Sequence, residues 1–304
     1  MAKQLKEKRL IFEENEEIRK QQNYWIAKKN DLITHSRYSL TLSQQRLLLF
    51  LISKIKPFDI IQDNYSVKIK DIIDVCEYNT SNSGNYYAVI KKDLLILRNS
   101  AVWIETERGL ETMGWLSKII FKKPPKGKEY QEVIFRFDDG LEPYLFQLQE
   151  LYTQYNLENI LLLSHKYSIR LYEYLVSYGY KMFVKVPIDD LRIRLDAQSY
   201  TRFDNFERRI IIPAIEDIND HTNIFVRYDK LRIDKGSAYS HIAFYIWGVN
   251  EDSKDYKLDD MRIIAGTKAN IERREIKRKK RQIDKQKAIE AEGKITAQTS
   301  LFED

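Results

Sequence analysis

"RLYEYLVS" at 170–177 and "RLLLFLIS" at 46–53 are the stretches that decide the fold. They lie 124 residues apart and share four of eight positions, Arg170/Arg46, Leu171/Leu47, Leu175/Leu51 and Ser177/Ser53. Tyr174/Phe50 and Val176/Ile52 are conservative. Each octet is apolar at helical spacing, and the segments downstream of the two octets are alike. "YSVKIKDIIDVC" (65–76) and "FVKVPIDDLRIRL" (183–195) both give a short β-like piece. In both, a short helix comes after it, opened by Asp71 or by Asp189 and Asp190, the charge that suits a helix start. A polar turn comes next, "NTSNSGN" (79–85) or "DAQSYT" (196–201). A longer helix succeeds it, "YYAVIKKDLLILRN" (86–99) or "FDNFERRIIIPAIEDIN" (203–219). Strand pairs close each copy: "AVWIE" (101–105) with "KIIFKK" (118–123), and "NIFVRY" (223–228) with "HIAFYIWG" (241–248).

The order helix, strand, short helix, longer helix, strand, loop, strand thus occurs twice, with equivalent parts 117 to 124 residues apart. That period is too long for a solenoid repeat and fits two copies of one domain. The arrangement is that of a winged helix, whose second compact helix is the one usually offered to the DNA major groove. The alternative is two unrelated α+β domains in coincidental order. The expected fold class is therefore α+β, tandem winged helices related by internal duplication. The expected division is an N-terminal extension (1–30), a first winged helix (31–145), a linker helix (146–163), a second winged helix (164–249) and a basic tail (250–304). Leu and Tyr recur at helical spacing across 142–163, so the linker is expected to pack between the domains.

Composition bounds the function. The 304 residues are 43% hydrophobic, enough for a packed core, and hold one cysteine, Cys76. An internal disulfide and a Cys-based zinc site are excluded, which fits a reducing cytoplasm. No apolar run approaches the ~18 residues of a membrane span, and the N-terminus lacks an apolar signal core. The net charge of +6 is unevenly spread: residues 268–287 carry ten basic and three acidic side chains, whereas 31–249 are close to neutral. The tail reads as a solvated, part-helical or disordered extension.

No catalytic pattern holds. There is no GxxxxGK[ST], GxGxxG, GxSxG or HExxH. His35, His165, His221 and His241 are scattered, and the histidine pair a tyrosine-dependent nicking enzyme requires is missing. "FDDG" (137–140) places Asp138 and Asp139 side by side, which on a strand would point them to opposite faces; a turn is the better reading. No cofactor or metal is expected.

The longer helix of the second copy is the informative one. At 100° per residue, Phe203, Phe206, Ile210 and Ala214 form a core stripe with Ile218 at its edge. Thr201, Asn205, Arg208, Arg209 and Ile212 fall opposite, flanked by Arg202. Arg can pair bidentately with guanine and Asn with adenine at base edges. The alternative is a solvated face on which Glu207 and Asp204 pair the arginines. Pro213 interrupts the helix bonding and is expected to kink it near Ile212. In the first copy Tyr86, Ile90, Leu94 and Leu97 form the stripe. The outward set is Asn85, Ala88 and Lys92, edged by Lys91 and Leu95, which suits phosphate contacts or a protein interface better. Lys185, and Lys230, Arg232 and Lys235 of "DKLRIDKG" (229–236), are candidate backbone contacts, as is "FKKPPKGK" (121–128). Both loops also fit plain soluble turns.

"NDLITHSRYSLTLSQQRLLLFLISKI" (30–55), "LLSHKYSIRLYEYLVSYG" (162–179), "VPIDDLRIRLD" (186–196) and "YTRFDNFERRIIIPAIEDINDHTNIFVRY" (200–228) together resemble theta-type plasmid replication initiators, the iteron-binding class with two winged helices. The resemblance spans about 30 to 249. It implies binding to repeated double-stranded sites at a plasmid origin, duplex opening, and recruitment of a host initiator and replicative helicase. It also implies a homodimer in equilibrium with a monomer, the dimer repressing its own gene. The second domain would read the iteron, and the first would add DNA contacts or the dimer interface. Rival readings are a dedicated transcriptional repressor, a rolling-circle nicking enzyme and a winged helix that docks protein.

Overall fold

Each twin octet lies in an α-helix, and the positions they share keep the same roles. The computed structural model describes residues 25–56, 59–76, 78, 86–122, 132–232 and 238–248. In chain order these form β1 (Trp25–Lys29), α1 (Asn30–Thr34), β2 (Ser36–Arg37), α2 (Leu42–Ile52), β3 (Tyr65–Lys68), α3 (Ile69–Cys76) and α4 (Tyr86–Asn99). Then come β4 (Ala101–Thr106), β5 (Gly109–Gly114), β6 (Leu116–Phe121), β7 (Glu132–Phe137), α5 (Glu142–Leu145), β8 (Tyr152–Asn156), α6 (Leu157–Leu161) and α7 (Lys166–Ser177). The remainder is β9 (Phe183–Pro187), α8 (Ile188–Arg194), α9 (Phe203–Phe206), a π-helical turn (Glu207–Ile211), α10 (Ile212–His221), β10 (Ile224–Arg232) and β11 (Tyr239–Gly248).

The octets fall in α2 and α7. Leu47, Leu51, Leu171 and Leu175 are all fully buried. Ser53 Oγ donates to the Phe50 carbonyl and Ser177 Oγ to the Tyr174 carbonyl, both at 2.7 Å, closing each helix in the same way. Helix α2 opens on a capping box in which Thr41 and Gln44 satisfy each other's orphan donors. Helix α7 has no such cap of its own. Asp217 of α10 serves instead, accepting from the Ser164 amide at 2.9 Å and the His165 amide at 3.3 Å. In copy one the buried Asp93 of α4 accepts from Gln44 Nε2 and from Tyr78. An acidic residue of the longer helix thus ties down the start of the octet helix in both copies.

The sheets repeat as well. One is ordered β3-β7-β6 and its counterpart β9-β11-β10, both antiparallel. This corrects the pairing expected for copy one. Ala101–Thr106 pairs with Gly109–Gly114, and Leu116–Phe121 pairs with Glu132–Phe137. The reason is local: Gly109, at φ +128°, permits a tight return after Thr106, so β4 is taken up by its nearest neighbour. The β4–β5 hairpin, paired through β4 with β2, is an insertion with no equivalent among the described residues of copy two.

Two further expectations change. The segment 146–163 is not one helix; only Leu157–Leu161 within it is helical. Gln147 and Leu151 take positive φ, which ends helical bonding, and Tyr152–Asn156 is a strand with alternating burial. That strand pairs with Trp25–Lys29, so part of the expected N-terminal extension is packed structure, with Ile26 and Lys28 buried. Residues 1–24 and 249–304, including the basic tail, lie outside the described residues. Both copies belong to one compact unit. "FDDG" is the turn expected, with the Asp138 carboxylate accepting from the Gly140 amide at 3.0 Å.

Candidate nucleic-acid interface

The site is built on a widened helix. Pro213 has no N–H to give, and its ring would strike the carbonyl four residues back. The chain meets this with the π turn at Glu207–Ile211, directly before α10, which carries the proline in its first turn. A π turn inserts one residue into the helical register, and such turns are frequent at functional sites. Its trace is visible in burial. Phe206, Ile210 and Ile211 are all fully buried, and the stripe continues through Ala214, Ile215 and Ile218. The interruption expected at Pro213 is met by this widening of the helix just before it.

Opposite that stripe, Thr201, Arg202, Arg208, Arg209 and Ile212 are exposed, whereas Asn205 is half-buried. Among the described residues, neither Asp204 nor Glu207 pairs with the arginines. Arg208 Nη2 lies 3.4 Å from Asn205 Oδ1, and Arg209 carries no hydrogen bond or ion pair among the described residues. Glu207 turns instead toward the hairpin, accepting from the Tyr228 hydroxyl at 2.7 Å and from Lys230 Nζ at 3.2 Å. Burial, and then Glu207 beside it, pushes the Tyr228 hydroxyl well above the usual tyrosine range.

The hairpin base closes onto the helix through aromatic rings. Phe203 and Tyr239 lie 5.2 Å apart. Lys230 Nζ sits 5.1 Å from the Tyr239 ring and 5.9 Å from Phe203, with the Arg232 guanidinium 4.2 Å from Tyr239. The hydrogen bond and charge of Arg232, followed by Lys230, hold the Tyr239 hydroxyl below its ordinary pKa. Lys230 is therefore engaged by Glu207, while Arg232 extends from the strand end. Lys185 is exposed on β9, paired across to Ala243. Lys235 lies outside the described residues.

Sequence reasoning missed Arg192. Its Nη1 pairs with Asp189 at 2.7 Å, its Nη2 donates to the Thr201 carbonyl at 2.9 Å, and its guanidinium lies 5.3 Å from the Phe206 ring. It braces the turn that delivers Thr201 and Arg202. Its acid-arginine spacing on a short helix was the only available signal.

The counterpart helix in copy one presents a different surface. Lys91 and Lys92 are exposed, as are Ala88 and Val89. Lys91 Nζ lies 5.6 Å from the Phe121 ring. Leu95 is exposed as well, at 40%. Asn85 and the basic stretch 123–130 lie outside the described residues. The outward face is thus a mixed apolar and basic one, poor in base-reading groups, as the sequence implies. Among the described residues no cluster of His, Cys, Asp or Glu is placed to hold a metal ion. No helix among them is long and apolar enough to cross a membrane.

Two family profiles match the chain. One is described as "Initiator Replication protein, WH1" and covers residues 25–176; the other, "Initiator Rep protein, WH2", covers 187–246. A curated "Replication initiation protein" of Escherichia coli is 25% identical over 217 residues, and the match covers 67% of this chain and 65% of that relative's length. Among solved structures, "Pi initiator protein in complex with iteron DNA" superposes with a TM-score of 0.60 at 19% identity, covering 76% of this chain and 99% of that one. That likeness carries the fold: two winged helices in tandem.

Proposed function

The chain belongs to the initiator replication protein family, with its WH1 and WH2 domains, and from that premise we propose that it initiates plasmid replication by binding iterons at an origin. One observation carries the reading: Thr201 and Arg202 exposed just before the second helix of a winged helix, and Arg208 and Arg209 exposed on its next turn beside the half-buried Asn205, with both of these arginines free of carboxylate partners among the described residues. Direct readout needs exposed donors of that kind at a helix start. Arg232, Lys185 and Lys235 supply backbone contacts, with Lys230 held by Glu207 until phosphate competes for it. Asn85, Lys91 and Lys92 of the first copy add non-specific affinity. The protein acts in the cytoplasm without enzymatic chemistry or cofactor. It exchanges between homodimer and monomer, opens the duplex, and hands the origin to a host initiator and helicase.

A dedicated repressor would share the binding surface. A complementation experiment separates the two. A plasmid carrying only the repeats and flanking origin should replicate when the protein is supplied in trans, and footprints should cover the repeats. Binding without replication would favour the repressor, and cleavage of supercoiled origin DNA would favour a nicking enzyme. Absence of any preference for the repeats over random duplex would overturn the proposal.

A further inference from the structure

The two arginines that open the twin octets do more than match. Arg46 of α2 sends Nη2 to the carbonyls of Leu161 and Leu163, each at 2.8 Å. Those carbonyls belong to the end of α6 and the residues that lead into α7. Arg170 of α7 sends Nη2 to the Ser36 carbonyl at 3.1 Å and lays its guanidinium 3.7 Å from the Tyr38 ring. Ser36 and Tyr38 lead into α2. Each arginine, from the same position of its repeat, therefore grips the segment that introduces the other repeat's helix. Both side chains are buried, at 9% and 6% exposure.

The contact is reinforced around its edge. Ser39 Oγ donates to Asp196 at 2.7 Å, and Lys166 Nζ reaches the same carboxylate at 3.1 Å. Asp196 stands in the turn between α8 and the outward arginines of copy two, so the lead-in to α2 touches that turn. A planar guanidinium with a fixed fork of donors holds such carbonyls with little freedom, which a flexible ammonium does not do.

We infer that Arg46 and Arg170 are positioning residues that hold the two winged helices at one spacing and rotation. The phosphates met by the first copy then lie at one fixed distance along the duplex from the bases read by the second. This rests on the DNA-binding role proposed above. Stepping to the next base pair would turn the first copy by about 34° and shift it about 3.4 Å relative to the second, a move that a rigid pair of domains cannot make. A loosened pair can.

The test uses the full chain with Arg46→Met, Arg170→Met and the double substitution, each checked for native circular dichroism and cooperative melting. Affinity is measured for the natural repeat, and the phosphates contacted by each domain are mapped by ethylation interference. In the unaltered protein the phosphates contacted by the first copy should form one sharp set at a fixed distance from the repeat. The double variant should bind the natural repeat about tenfold more weakly, because preorganisation is lost, and its first-copy interference should spread over neighbouring phosphates. A DNA-free measurement runs beside it. Nitroxides at Leu110→Cys and Tyr180→Cys, with Cys76 buried and unlabelled, should give one narrow distance distribution that broadens in the double variant. Should the methionine pair not fold, Arg46→Lys and Arg170→Lys replace it, keeping a cation but not the fork, and are read the same way. Folded variants with the parental interference pattern, or an unbroadened distance distribution, would overturn the clamp. If the unaltered protein has no preference for repeats, the initiator reading fails, and the label distances alone then decide the clamp.

Discussion

Replacing Glu173 by leucine, the residue at the twin position Leu49, should be among the most damaging single changes in the protein. Glu173 of α7, Lys28 of β1 and Tyr155 of β8 are each 2% exposed. The Lys28 ammonium and the Tyr155 hydroxyl both bind the Glu173 carboxylate. Burial, and then that carboxylate, drives the Tyr155 hydroxyl far above its ordinary range, so it remains a donor throughout the working pH. Removing the carboxylate strands a buried ammonium, at a cost of about 3–5 kcal/mol. That is a large share of the roughly 5–15 kcal/mol that separates folded from unfolded domains. Removing both charges is a different matter, since Lys28→Met with Glu173→Leu exchanges a desolvated pair for apolar packing, typically neutral or stabilising by about 1–4 kcal/mol. Against this stands the orphaned Tyr155 hydroxyl, at about 1–3 kcal/mol, which Tyr155→Phe then relieves. Urea unfolding followed by tryptophan fluorescence should show the single variant badly weakened, the double within about 2 kcal/mol of the parent, and a coupling energy above about 2 kcal/mol. A loss below about 1 kcal/mol for Glu173→Leu, or strictly additive effects, would refute the reasoning.

Three other outcomes are expected. Arg208→Ala and Arg209→Ala should each cost ~1–3 kcal/mol of repeat binding and relax specificity at one base pair; footprint titrations showing both unchanged would remove the reading-helix assignment. Lys91→Ala and Lys92→Ala should weaken binding to all sequences alike and flatten the salt slope by about 1 each, whereas a base-specific loss would contradict it. The Cys76 thiol is pushed up to about 12 by burial. Because that folded value is raised, its contribution to stability is complete below pH ~9 and is lost as the pH climbs toward the folded value. Cys76→Ala should flatten that part of an alkaline unfolding profile, and an unchanged profile would show the thiol has no part in it.

How much could be read in advance depends on the range of each interaction. Helix periods and acidic helix starts are local, so the order of the helices in both copies was legible, as was the turn at Asp138. Leu47, Leu51, Leu171 and Leu175 were legible as core for the same reason. Strand partners are chosen across the chain, and that is where expectation failed. Tyr152–Asn156 is read as helical by composition but becomes a strand because Trp25–Lys29 offers it an edge. Ala101–Thr106 found a partner nearer than the one expected. On the candidate site the arginine face was visible by angle, and Pro213 announced an interruption. Its conversion into a π turn was not visible, because that depends on the core accepting Ile210 and Ile211 together. Glu207 pairing the arginines was the alternative reading; its capture by Tyr228 and Lys230 required the hairpin to fold back over the helix.

The β1–β8 pair also sets a timetable for synthesis. Trp25 and its neighbours leave the ribosome early, yet their partners, Tyr152–Asn156, emerge more than a hundred residues later. At about 5–20 residues per second, β1 waits roughly ten seconds for its edge. All of copy one is made inside that interval, so its core must condense with β1 and the Lys28 ammonium still unpartnered. Helix α7, which supplies Glu173, arrives after β8. The nascent first copy therefore stays open on one side until the second has begun to form, and closure of the pair is a late event of translation, coupled to the arrival of α7.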